Sequence, residues 1–154
     1  ALGSVENMLE CKQAVNKLTK MFTEFYETSF GKLIPVRAEI VVGDKDWGVT
    51  GMIDQLFYNE KSKKLEIWDW KTNKAINKKN KWQQFKEPLS HLDVCELNTY
   101  SLQLSFYKLI VERNTELELG DCYIVWFNEN NDTYKIMKCY DFREEILKIM
   151  NKDG

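Results

Sequence analysis

The sequence predicts an α/β (α+β) domain whose elements run α-βββ-α-β-β-α, and three observations predict it. The chain has 154 residues and 44% hydrophobic content, enough for one full core. Apolar residues recur at helical spacing in separate stretches, and β-rich runs bounded by polar turns lie between them. No repeat and no linker-like stretch divides the chain, so residues 5–154 read as a single domain. Ala1-Leu-Gly-Ser4 has the character of a cloning scar and stands outside that reading.

Residues 5 to about 28 carry Met8, Leu9, Lys12, Val15, Leu18, Phe22, Phe25 and Tyr26, mostly at helical spacing, and Gly31 and Pro35 close that helix. Pro35 to Val42 is rich in β-branched residues and predicts the first strand, with Gly43-Asp-Lys-Asp46 as a turn. Trp47 to Tyr58 is the second strand, Asn59-Glu-Lys-Ser62 the next turn, and Lys64 to Thr72 the third strand. Asn73 to Asn98 shows no clean period and is interrupted by Pro88, which leaves room for short helical pieces. Residues 99–113 predict a helix with Leu102, Phe106, Leu109 and Ile110 on its core face. Asp121 to Phe127 and Thr133 to Tyr140 are strands around the polar turn Asn128-Glu-Asn-Asn-Asp132. Asp141, with Glu144 three residues on, has the spacing of a cap for a last helix through Met150.

Composition narrows the function classes. Thirteen per cent aromatic residues argue against disorder. No apolar run approaches the ~18 residues of a membrane span, and no signal-peptide pattern opens the chain, so no membrane partner is expected. Cys11, Cys95, Cys122 and Cys139 are scattered without a CxxC pair. That spacing fits neither a zinc site nor an iron–sulfur cluster, and predicts reduced thiols buried as small hydrophobes in a cytosolic setting. The formal charge is −2, yet residues 61–86 hold nine lysines against Glu66 and Asp69. Such asymmetry is the electrostatic footprint of a polyanion partner.

Asp54, Asp69 and Lys71 stand out on the second and third strands. Side chains two apart in a strand share a face, so Leu65, Ile67, Asp69 and Lys71 line one side and its apolar half must be buried. Charges continuing a buried face are costly unless paired. A divalent metal held by Asp54 and Asp69, with Lys71 facing a phosphate, resolves that cost. Trp68 and Trp70 face the other way, where core packing is their expected role.

The element order and four short motifs resemble the PD-(D/E)XK nuclease superfamily, and within it the branch of the RecB nuclease domain and phage exonucleases. The first acidic position of the family matches Glu39, its Gly-x-x-Asp element Gly51-Met-Ile-Asp54, and its Asp/Glu-x-Lys element Asp69-Trp-Lys71, followed by Thr72. Its Gln-x-x-x-Tyr element matches Gln103-Leu-Ser-Phe-Tyr107. The resemblance implies a restriction-endonuclease-like core, with a central mixed β-sheet flanked by helices. Many members of the branch have a metal-binding histidine upstream of the first acid; here the only histidine is His91, in a polar loop and expected at the surface.

Hard cations such as Mg²⁺ or Mn²⁺ prefer oxygen ligands and activate water for phosphodiester hydrolysis. The expected ligands are Asp54, Asp69 and the backbone carbonyl of Trp70, with Glu39 binding a second ion or its water shell. Lys71 positions or deprotonates the attacking water, or stabilises the charged phosphate. Gln103 and Tyr107, at i and i+4, share a helix face and orient Lys71. Thr72, Lys74, Lys78, Lys79, Lys81 and Trp82 are the expected nucleic-acid contacts, on a segment predicted to form a mobile wall over the site. The expectation is a metal-dependent deoxyribonuclease, an exonuclease acting at DNA ends in recombination, repair or replication. The alternatives are a structure- or sequence-specific endonuclease, and a DNA-binding module without catalysis. A bacterial or phage-like cytoplasmic setting and a larger recombination or replication assembly, or a homo-oligomer, complete the expectation.

Overall fold

The computed structural model describes residues 2–151; Ala1 of the expected scar and the last three residues of the expected domain lie outside them. The elements are α1 (Leu2–Ser29), β1 (Leu33–Asp44), β2 (Val49–Asn59), β3 (Lys64–Lys71), α2 (Glu96–Asn114), β4 (Leu119–Trp126), β5 (Lys135–Lys138) and α3 (Arg143–Met150). That is the predicted order. The five strands form one sheet in the order β1-β2-β3-β4-β5. Short turns make β1, β2 and β3 antiparallel neighbours, and β5 returns antiparallel to β4. Between β3 and β4 the chain crosses over through α2, so these two strands run parallel and the sheet is mixed.

Two apolar layers hold helices on opposite faces. On the α2 side Ile53, Ile67, Leu97, Leu104, Cys122 and Ile124 pack together, with Leu65 and Trp126 at their edge. On the α1 side Met21, Phe25, Phe57, Trp68, Val125 and Phe127 form an aromatic core against which Trp70 and Tyr134 pack. Alternation along β3 therefore works as expected: Leu65 and Ile67 lie on one side, Trp68 and Trp70 on the other.

Several expectations need correction. Met8, Leu9 and Val15 are more than half exposed, and α1 enters the core only through its last turns, at Met21 and Phe25. On α2, Leu102 and Phe106 are only half-buried, while the buried face includes Ser101, Ser105 and Lys108. Ser101 and Ser105 satisfy the backbone N–H groups of Tyr140 and Phe142, which ties α2 to the chain entering α3. Phe142, not Asp141, is the N-cap residue of α3; Asp141, one residue earlier, still accepts the Arg143 backbone N–H at the helix start, along with the Arg143 guanidinium. Cys95, Cys122 and Cys139 are buried free thiols, but Cys11 is exposed. No helix of the described residues is long and apolar enough to cross a membrane.

Candidate active site

Asp54 and Asp69 come together where the β2–β3 ladder stops. Pairing runs from Asn59↔Lys64 to Gln55↔Trp68. The next step places Asp54 opposite Asp69, and there a side chain replaces the backbone ladder: Asp54 Oδ2 accepts the Trp70 N–H at 3.0 Å. Ile53 and Leu56, three residues apart, both pack on the α2 side, so the side-chain alternation of β2 changes phase around Asp54 and Gln55. Glu39 lies between the β1–β2 pairs Ala38↔Gln55 and Ile40↔Ile53, opposite this phase change, and takes the left-handed backbone at φ +50°. That conformation costs a non-glycine residue about 1–2 kcal/mol.

Asp69 is 3% exposed. Burial first, and then its contact with the Asp54 carboxyl, push it up to about 6, while the Lys71 ammonium opposes the rise. Lys71 Nζ lies 2.7 Å from Asp69 Oδ2 as an ion pair, and among the described residues no neutral donor reaches this buried oxygen. Glu66, buried on the opposite face of the same strand, makes the contrast. Its carboxylate receives Asn59, Ser62 and the Trp68 indole N–H. One buried carboxylate of β3 is satisfied by neutral donors; the other is held in reserve.

That reserve fits a hard divalent cation. Two adjacent carboxylates, one with a buried oxygen that no neutral donor satisfies, are the donor chemistry such an ion takes. Among the described residues no third His, Cys, Asp or Glu joins them in a group able to hold a metal. Glu39 is exposed and outside the pair, and Trp70 is tied to it through its N–H. Mg²⁺ keeps several waters and takes substrate phosphate oxygens, so a two-carboxylate seat suits it.

The helix α2 supplies the opposite wall. Gln103 Nε2 donates to Tyr107 Oη at 3.0 Å, which joins the predicted pair. The glycine of Gly51-Met-Ile-Asp54 has a packing reason: a Cβ there would sit 2.2 Å from Tyr107 Cε1. Gly51→Ala is expected to cost about 1–3 kcal/mol by forcing the ring away. In a Tyr107→Ala background the same change should cost far less, and thermal melts of the four proteins check this. Equal costs in both backgrounds would reject the contact as the reason for the glycine.

Sequence reasoning missed Tyr100. Its ring lies 4.4 Å from Lys71 Nζ, a cation–π contact, and its hydroxyl meets Asn73 Nδ2 at 2.5 Å. The signal was present, since Tyr100, Gln103 and Tyr107 are spaced i, i+3, i+7 on one helix face. The chain beyond Lys71 is fixed as well. Phe127 N–H donates to the Lys71 carbonyl, and Trp126 Nε1 and Asn128 Nδ2 donate to that of Asn73, each at 2.7 Å for the latter two.

The segment predicted as a mobile wall is stitched by hydrogen bonds. Asn77 N–H donates to Glu96, Asn80 N–H to Asp93, and Asn80 Nδ2 to the Val94 carbonyl. Gln84 bridges Asp93 across it. No helix forms between β3 and α2. Thr72, Lys74, Lys78, Lys79 and Lys81 are all exposed, and Trp82 is 94% exposed. His91 lies at the surface, 3.6 Å from Glu145 of α3.

A family model described as the PD-(D/E)XK nuclease superfamily matches residues 5–150. No curated protein matches the chain.

Proposed function

The chain belongs to the PD-(D/E)XK nuclease superfamily, and from that premise we propose that it is a divalent-metal-dependent deoxyribonuclease of the RecB-like and phage exonuclease branch, acting at DNA ends. The observation that carries the reading is the buried Asp69 carboxylate, in contact with a second carboxylate, Asp54, and met at Oδ2 only by the Lys71 ammonium. A structural ion pair alone would not need the second carboxylate, which raises the cost of charging the first.

Asp54 and Asp69 would hold Mg²⁺ or Mn²⁺, which when bound supplies Lewis-acid activation of water and neutralises charge on the phosphate. Asp54 also fixes the Trp70 backbone, so the β3 end cannot drift from β2. Lys71 is held from two sides, by Asp69 and by the Tyr100 ring. An ammonium so placed orients the attacking water or meets the charge that builds on the phosphate oxygens, without reorganisation during the step. Tyr107, seated on Gly51 and bonded to Gln103, keeps α2 at a fixed distance from β2. Glu39, opposite Asp54 in register, reaches the site only through its water shell or with a second ion.

Linear duplex, covalently closed circular duplex and single-stranded DNA, each incubated with Mg²⁺, with Mn²⁺ and with excess chelator, test the reading. Metal-dependent loss of linear DNA with intact closed circles is the expected result. Cutting of closed circles would make the enzyme an endonuclease, and undiminished cleavage in chelator would overturn the metal reading.

A further inference from the structure

Beside the carboxylate site lies a cavity of about 550 Å³, lined among others by Asn77, Lys79, Asn80, Lys81, Trp82 and Tyr100. Tyr100 belongs to both places: it lines the cavity and its ring also carries the Lys71 ammonium. The two sites therefore share a wall. We propose that this cavity takes the base of one unpaired nucleotide next to the phosphate that faces Lys71, with Trp82 as its stacking surface. The inference rests on the nuclease reading and specifies its substrate as DNA with a single-stranded or fraying end.

Size comes first. A volume of this order lies within the range of small-ligand sites and is ample for one nucleobase with its sugar. Charge follows: from Thr72 to Lys86 the chain carries lysines and no acid. The one carboxylate in the lining, Glu96, is engaged by the Asn77 backbone N–H and side-chain amide. Lys79 and Lys81 are left to meet phosphate, while an acidic protein surface would gain nothing from the aromatic walls.

Trp82 gives the sharpest indication. Trp68 is buried and Trp47, Trp70 and Trp126 are half-buried, whereas Trp82 is 94% exposed. An indole left in water is unfavourable unless something covers it, and a base does so with a face that every sequence offers. Its backbone is nonetheless fixed: Trp82 N–H donates to Asn80 Oδ1 at 3.0 Å, and Asn80 is itself bonded to Asp93 and Val94. The ring is thus presented from a stitched corner, which lowers the ordering cost of binding. A base that reaches it has left the duplex stack, and that loss is smallest at single strands and open ends.

The test uses the whole chain in chelator, so that binding is read without cleavage. The probes are a short single strand and the same strand with one abasic position moved along it. Wild type should bind the intact strand roughly ten- to hundredfold tighter than the worst abasic strand, the scale of one stacked base. In Trp82→Ala that gap should close, and in Trp82→Phe most of it should remain. A gap of the same size in Trp82→Ala, or none in wild type, overturns the cavity as a base site. Metal-dependent cleavage of the intact strand is followed in parallel. Intact cleavage without an abasic gap rejects this inference alone, and a clear gap without any cleavage rejects the hydrolytic reading alone.

Discussion

Asp69→Asn is expected to reduce metal-dependent cleavage by orders of magnitude while removing a pH-dependent weakness of the metal-free fold. Both effects come from one buried oxygen pair. In the native protein burial and the neighbouring Asp54 hold Asp69 up at about 6, against an ordinary carboxylate value of 3.8. The native state therefore binds more protons than the unfolded chain between those two values. The contribution of Asp69 to the stability of the metal-free wild type falls as pH rises through that window and is level above it. The linkage is worth at most about 3 kcal/mol. Asparagine keeps the shape and carries no charge, so the Asp69 share of the slope should vanish in the variant, while the shares of Glu66, raised by burial, and of Asp44 and Asp141, lowered by their partners, remain. Loss of the Asp69–Lys71 ion pair offsets part of the gain at neutral pH, which makes the slope a better readout than one melting temperature.

Mg²⁺ supplies the second half of that experiment. An ion that binds only the folded state stabilises it by mass action, and it should raise the wild-type melting temperature more at pH 8 than at pH 5. Asp69→Asn and Asp54→Asn should show little of that rise. A Mg²⁺ response in either variant equal to that of wild type would remove the pair from the metal site.

The faces of Asp69 and Lys71 were legible in the sequence because period-two geometry fixes them without tertiary information, whereas Asp54 sits where β2 changes phase. Ile67, Trp68, Asp69 and Trp70 sort to opposite sides by count alone. Glu39 was legible as a position but not as a geometry. Its φ of +50° belongs to a phase change shared by β1 and β2, which no pattern in one strand reveals. Met8, Leu9 and Val15 misled for the opposite reason: helical spacing is present, but α1 meets the core only from Leu18 onward and leaves them exposed. The stretch from Asn73 to Val94 shows no period because the side chains of Asn80, Asp93 and Asn128 and a few isolated backbone bonds, not a regular ladder, satisfy its backbone. Tyr100 escaped notice because its role depends on where α2 docks, above the end of β3.

Lys71→Ala should separate binding from chemistry. Lys71 Nζ is 2.7 Å from Asp69 Oδ2, the oxygen that a metal would take, so in the metal-free protein the ammonium occupies part of that seat. Its removal should leave Mg²⁺ affinity unchanged or higher. DNA affinity in chelator should fall by no more than the few-fold expected of one phosphate contact among several lysines. Turnover at saturating DNA should collapse, because a charge held by Asp69 and the Tyr100 ring acts where the phosphate becomes more negative. Lys71→Met, which keeps the stem against Tyr100 and loses the charge, should behave as Lys71→Ala does. Kd in chelator, kcat with Mg²⁺, and the Mg²⁺ dependence of melting read the three quantities independently. If affinity and turnover fell by the same factor, Lys71 would be a phosphate-contact residue and the catalytic charge would have to come from elsewhere.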